Sequence, residues 1–114
     1  MKAYLIDPFK RSILEVGTDA ELQSIYDLLQ VDMIEAVRPT NAEGDIIYID
    51  EEGKLKDGQA MFFCRLFPHD ILFGRGLWIG TDEEGGNASA EMPLSYVKAH
   101  IVWLDENHKM YPAE

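Results

Sequence analysis

Short apolar runs, each closed by glycine, proline or acidic residues, recur along the whole chain. Their β-branched and aromatic content, and the alternation in several of them, predicts about six or seven short strands. The predicted strands span residues 2–7, 12–16, 33–38, 45–50, 60–67, 77–81 and 99–104. Because the strands come in runs and do not alternate with helices, we expect an α+β fold with a mostly antiparallel sheet.

One segment has helical periodicity. Its apolar residues recur with the spacing of one helix face, at Leu22, Ile25, Tyr26 and Leu29. Thr18, followed three residues later by Glu21, matches a capping box. We therefore predict one main helix over residues 19–30, packed on one face of the sheet. Pro93 can occupy the first turn of a short second helix that extends to Lys98.

Two of the predicted strands share the same ending. The tetrapeptide Asp-Glu-Glu-Gly follows the apolar run in residues 50–53 and again in residues 82–85. We interpret both copies as acidic turns and expect them to project side by side from the sheet. Residues 60–67 are almost continuously apolar, which predicts a central strand buried on both faces.

The chain has 114 residues, 46% of them hydrophobic, and this size suits a single domain over residues 1–114. The polar tail after Leu104 is expected to fray unless residues 110–112 dock. The single cysteine, Cys64, excludes an intrachain disulfide and is expected to be a buried structural thiol. No leader peptide and no apolar run of about 20 residues is seen, so we expect a cytoplasmic protein without a membrane span.

The formal net charge is −11. Such a charge disfavours direct binding to nucleic acids or anionic membranes, and it favours solubility, a basic protein partner or cations. Residues 15–57 hold twelve acidic and three basic side chains, and residues 82–91 hold four acidic and no basic ones. We expect these two segments to form one acidic surface.

No catalytic motif is present. The histidines His69, His100 and His108 have no zinc-binding spacing, and no carboxylate pair sits in a sequence context typical of acid–base catalysis. Neither glycine-rich stretch, residues 74–76 or 85–86, matches a phosphate-binding loop. We therefore predict a protein that is not an enzyme and has no metal and no cofactor.

Several stretches, in the same order, resemble an uncharacterised family of small acidic proteins encoded by phages, plasmids and integrative elements. The resemblance covers roughly residues 1–104, and the stretches that carry it are residues 2–8, 24–26, 44–53 with 55–56, and 76–85. The resemblance implies an accessory gene of a mobile element that acts in a bacterial cytoplasm. It implies no catalytic residue.

The leading hypothesis is a non-enzymatic accessory protein that engages a basic host protein through its acidic face, as an inhibitor of a nucleic-acid-binding host or defence protein. The predicted partner-binding residues are Glu43, Asp45, Asp50, Glu51, Glu52, Asp57, Asp82, Glu83 and Glu84. One alternative is a protein that binds or sequesters a signalling nucleotide through Arg65, Arg75 and Trp78. Another is a cation-binding domain that uses the oxygen ligands of the acidic turns.

Overall fold

The computed structural model describes residues 1–114 and shows an α+β fold, which confirms the predicted class. The elements in chain order are β1 (Lys2–Asp7), β2 (Ser12–Gly17), α1 (Leu22–Leu29), β3 (Ile34–Val37), β4 (Ile46–Asp50), a short 3-10 helix (Gly53–Leu55), β5 (Met61–Cys64), β6 (Leu72–Phe73), β7 (Gly76–Thr81), β8 (Asn87–Ala88), α2 (Leu94–His100), β9 (Ile101–Leu104) and β10 (Met110–Pro112). The short second helix predicted near residue 93 forms as α2. Neither helix is long and apolar enough to cross a membrane.

The strands form two antiparallel sheets, not the single sheet expected from the sequence. The large sheet has six strands in the order β2-β1-β7-β4-β3, with β8 paired to the end of β7. The small sheet has four strands in the order β10-β9-β5-β6. Strands β6 and β8 have only two residues each, which is too short for a recognisable alternation, and the tail docks on β9 as β10.

The central strand of the large sheet is β7. It lies between β1 and β4, and its first five residues are buried. The strand predicted over residues 60–67 forms as β5, an interior strand of the small sheet between β9 and β6. The expected burial on both faces is wrong, because only its alternate residues, Phe62 and Cys64, are buried. A Cβ atom at Gly76 would lie 2.8 Å from the Phe62 ring, so β7 and β5 pass very close together.

Helix α1 and the small sheet cover opposite faces of the large sheet. Side chains alternate between faces along a strand, so β1 directs Ala3 toward α1 and Tyr4 toward the small sheet. The helix side has a core of six buried residues, whereas the space between the sheets has a core of 15. Trp78 lies in this larger core and is fully buried.

Helix α1 begins later than the predicted capping box. Thr18 and Asp19 each accept a hydrogen bond from the main-chain N–H two residues on, at 3.0 and 2.9 Å. Ala20 then has a φ of 59°, which is not helical. The helix starts at Leu22, and its N-cap Glu21 makes no side-chain capping hydrogen bond. The capping-box prediction is wrong because these local turns use the same side chains.

Candidate functional site

The two Asp-Glu-Glu-Gly turns lie at opposite ends of the large sheet. Strands β4 and β7 are antiparallel neighbours, with Ile46 opposite Ile79 and Ile49 opposite Gly76. The turn after β4 therefore lies beside the start of β7, and the turn after β7 lies beside the start of β4. Five residues of strand separate the turns by about 17 Å, about twice the screening length of about 8 Å at physiological ionic strength. The expectation that they project side by side is wrong.

In each copy of the tetrapeptide the aspartate closes the turn. Asp50 Oδ1 accepts a hydrogen bond from the N–H of Glu52 at 2.9 Å. Asp82 Oδ1 accepts one from the N–H of Glu84 at 2.9 Å and one from Gly86 at 2.8 Å. Aspartate is favoured in turns because its carboxylate can bind the N–H two residues on. A shared turn geometry thus explains the repeat, and it leaves the glutamates facing solvent.

Two of the aspartates predicted on the partner-binding surface are buried. Asp45 is 1% exposed and Asp50 is 4% exposed. Asp45 accepts a hydrogen bond from the indole N–H of Trp78 at 2.6 Å. It also accepts bonds from the main-chain N–H groups of Glu91, at 2.9 Å, and Met92, at 3.1 Å. The surface position expected for these two carboxylates is wrong, because both carboxylates bind groups of the fold itself.

The sheet end that carries Asp50 also carries positive charge. Lys56 Nζ lies 2.6 Å from Asp50 Oδ2, and this hydrogen bond raises the pKa of Lys56. Lys54 forms a second ion pair there, with Asp70. Both lysines are thus paired with Asp50 and Asp70, and the exposed carboxylates of residues 51, 52 and 57 at this end have lysines nearby but no ion pair of their own.

Exposed carboxylates also gather at the other end of the large sheet, where the positive charge is the N-terminal ammonium of Met1, which donates a hydrogen bond to the main-chain oxygen of Thr18 at 2.7 Å. Glu43 adjoins the turn after β7, since the Thr81 hydroxyl donates a hydrogen bond to the main-chain oxygen of Gly44 at 2.7 Å. The turn before α1 adjoins β8, since the side-chain amide of Asn87 donates to the main-chain oxygen of Ala20 at 3.3 Å. We name this group the acidic end, and its members are Asp19, Glu21, Glu43, Asp82, Glu83 and Glu84. All six are exposed, and none belongs to any of the three ion pairs in the molecule.

The sequence pattern points to only part of the acidic end. Glu43 and residues 82–84 are among the predicted partner-binding residues. Asp19 and Glu21 are not, because their position before a helix indicates capping. The antiparallel register that brings these segments together has no local signal in the sequence.

The side chains predicted for a nucleotide site do not share a cavity. Trp78 is fully buried. The guanidinium of Arg75 is paired with Asp7, 3.4 Å from its Oδ2, lies 4.8 Å from the centre of the Phe9 ring, and lines the smaller cavity, of about 90 Å³. Arg65 is exposed and lines neither of the two cavities of the molecule.

The larger cavity, of about 290 Å³, lies between the two sheets, and we name it the inter-sheet cleft. It is lined by strands β3 and β4, the 3-10 helix and residues 67–73. Its buried lining includes Val37, Ile49 and Leu72, and its exposed lining includes Glu35 and Glu51. These segments are distant in sequence and carry no common motif, which is why sequence reasoning misses the cleft.

Two of the three histidines, His69 and His100, pack against aromatic rings. His100 Nδ1 lies 2.7 Å from the main-chain oxygen of Tyr96, and the two rings are 4.3 Å apart. His69 packs edge-on against Phe67, with ring centres 5.0 Å apart. No group of three or more His, Cys, Asp or Glu side chains is arranged to hold a metal ion.

Cys64 is fully buried, as the sequence predicts, and burial raises the pKa of its thiol to about 11. We expect the native protein to react with iodoacetamide at least about 100-fold more slowly than the urea-unfolded chain, because only the accessible thiolate is nucleophilic. Mass spectrometry of timed samples measures both rates. The unfolded thiol ionises at lower pH, so this group should also reduce stability as the pH rises from 9.0 to about 11. Rapid alkylation of the native protein would contradict the buried position.

Comparison with known proteins gives a family but no characterised relative. No curated protein and no solved structure matches the chain. The family described as a domain of unknown function (DUF3846) matches residues 1–100, from the start of the chain to the end of α2. The match covers most of the chain, including every strand of the large sheet and the whole acidic end, so this chain belongs to the DUF3846 family.

Proposed function

We propose that this chain is a non-enzymatic accessory protein of a mobile genetic element and that it binds a basic protein partner through the acidic end. The observation that carries the proposal is the gathering of six exposed carboxylates, from three separate chain segments, with no ion pair among them. A surface of one charge sign attracts an oppositely charged partner over a distance and raises its association rate.

The acidic end is suited to remain charged. A hydrogen bond from Ser24 lowers the pKa of Asp19, so this carboxylate stays ionised to a lower pH than an ordinary aspartate. The hydrogen bonds that Asp82 makes within its turn fix the backbone on which Glu83 and Glu84 stand. A surface held in place before binding loses less conformational entropy when a partner docks.

The charge also narrows the class of partner. A net charge of −11 repels nucleic acid, whereas proteins that bind DNA or RNA carry clustered lysines and arginines. We infer that the partner is such a nucleic-acid-binding host or defence protein and that the chain inhibits it in the bacterial cytoplasm. The resemblance to proteins encoded by phages, plasmids and integrative elements supports this setting.

The surroundings of the acidic-end carboxylates and of Cys64 favour a binding role over a catalytic one. A carboxylate that acts as an acid or base needs apolar surroundings, but every member of the acidic end is exposed to solvent. A cysteine nucleophile needs an accessible, easily ionised thiol, but Cys64 is buried and its pKa is raised.

The repeated tetrapeptide supplies a matched test. One double variant, Glu83→Lys with Glu84→Lys, reverses two charges within the acidic end. The control, Glu51→Lys with Glu52→Lys, makes the same change in the same local sequence at the opposite end. We expect the first to weaken partner binding by at least about tenfold and the control by less than about threefold. The measurement is capture of basic proteins from a nuclease-treated bacterial lysate, followed by Kd values with the purified captured protein.

Salt dependence and the control variant distinguish binding of the partner at the acidic end from attraction by the overall negative charge. Raising the salt from about 0.1 to about 0.5 M should release the partner from the unmodified chain. Equal losses in the two double variants would show that overall charge, not the acidic end, attracts the protein. Unchanged binding by the Glu83→Lys, Glu84→Lys variant would overturn the proposal.

A further inference from the structure

The inter-sheet cleft has an apolar interior beside an open sheet edge. Strand β3 is the last strand of the large sheet, so the cleft opens where no further strand covers it. Val37, Ile49 and Leu72 are buried along its interior, and Phe73 adds half-buried aromatic surface. A volume of about 290 Å³ is at the small end of the range of ligand pockets, about 300–1,000 Å³. The cleft thus suits a small molecule with an apolar body.

The unbalanced charge of the cleft is negative. Two of its carboxylates are neutralised, Asp50 by Lys56 and Asp70 by Lys54. The remaining two, Glu35 and Glu51, belong to no ion pair. Glu35 lies opposite Ile49 in the antiparallel β3–β4 pair, and Glu51 directly follows β4. Both glutamates therefore lie at the same end of this strand pair and line the cleft. A cationic ligand bound against the apolar interior would have these two carboxylates beside it at the cleft entrance.

We propose that the inter-sheet cleft binds a small organic cation, a protonated primary amine attached to a flat apolar group. The apolar group would lie against the buried aliphatic side chains and Phe73, and the ammonium group would lie between Glu35 and Glu51. This assignment is independent of the partner proposed for the acidic end. It also opposes the nucleotide interpretation of the sequence, because phosphates would meet two free carboxylates in this cleft.

Paired ligands that differ only in charge test the inference. Phenethylamine and 2-phenylethanol have the same apolar body, and only the first carries a positive charge at neutral pH. Titration followed by two-dimensional amide NMR should give saturable shifts for residues 71–73 and for the β3–β4 ladder. A ligand of this size should bind with a Kd of about 1–10 mM, and the amine should bind at least about fivefold more tightly than the alcohol.

Variants that replace glutamate with uncharged glutamine test whether the cleft causes the tighter binding of the amine. Glu35→Gln with Glu51→Gln should reduce the amine's advantage over the alcohol to less than about twofold. The control, Glu83→Gln with Glu84→Gln, removes the same charge from the acidic end and should retain the advantage. Equal binding of amine and alcohol by the unmodified chain would overturn the inference. Shifts that spread over the acidic end, or equal effects of the two variants, would also overturn it, as would the lack of any saturable shift.

Discussion

Replacing Asp45 with alanine is expected to lower the free energy of unfolding by about 3 to 5 kcal/mol. The carboxylate is 1% exposed and accepts hydrogen bonds from Trp78 and from the main chain of Glu91 and Met92. Its removal leaves the Trp78 indole N–H without an acceptor in the core, and each buried unpaired donor costs about 1–3 kcal/mol. Since a domain of this size has a total stability of about 5–15 kcal/mol, this one change removes a large part of it.

Urea unfolding followed by tryptophan fluorescence measures this effect. Asp45→Asn is expected to lose less, because the amide oxygen can still accept from one or two of the three donors. Asp57→Ala changes an exposed aspartate that makes no ion pair, so its effect should stay within about 0.5 kcal/mol. If Asp45→Ala were as mild as Asp57→Ala, the buried hydrogen bonds described for Asp45 would be incorrect.

Replacing Gly80 with alanine is expected to cost about 3 kcal/mol and to loosen the β7–β8 pairing. A Cβ atom at this position would lie 2.1 Å from the main-chain oxygen of Ser89 and 3.1 Å from that of Ala88. Both contacts are backbone atoms, so no side-chain rotation can relieve them. The segment after β8 must move, and it carries the hydrogen bond from Ala90 N–H to the main-chain oxygen of Lys2 at 2.8 Å.

The control for this change is Gly17→Ala. A Cβ atom at Gly17 meets nothing within 4 Å, and the residue has no positive φ, so alanine should be neutral or slightly stabilising. Thermal unfolding of the two variants compares them directly. A Gly80→Ala variant as stable as Gly17→Ala would show that the main chain at Ser89 does not lie against Gly80 as described. Because the β7–β8 turn carries Glu83 and Glu84, Gly80→Ala should also weaken partner binding.

Local patterns predict the elements of this chain better than their arrangement. The first hairpin, β4, β7 and α1 follow from alternation, turn residues and helical spacing, which depend on neighbours in sequence. The second sheet does not follow, because β6 has two residues and β10 lies in a polar tail. The central strand is also missed, since the glycines of β7 at Gly76 and Gly80 make it look less apolar than residues 60–67.

The candidate sites, like the fold, were predictable only where they depend on residues close together in sequence. The acidic composition points to a charged surface, but whether two acidic turns meet depends on the relative direction of their strands, which no local pattern records. The sequence places Asp45 at the start of a predicted strand and on the acidic surface, yet its indole partner, Trp78, is 33 positions away. The inter-sheet cleft depends on three separated segments and has no signature. Burial of Cys64, by contrast, follows directly from the apolar residues around it.

Strands β9 and β10 extend the small sheet beyond the family match, which stops at residue 100. A gene fragment cut at that boundary would encode a small sheet with only β5 and β6, and a lone two-stranded hairpin is barely stable in water. The same cut would remove four buried residues, 101–104, and uncover the edge of β5, a surface prone to aggregate. The region that the family model matches and the region that completes the small sheet therefore end at different residues.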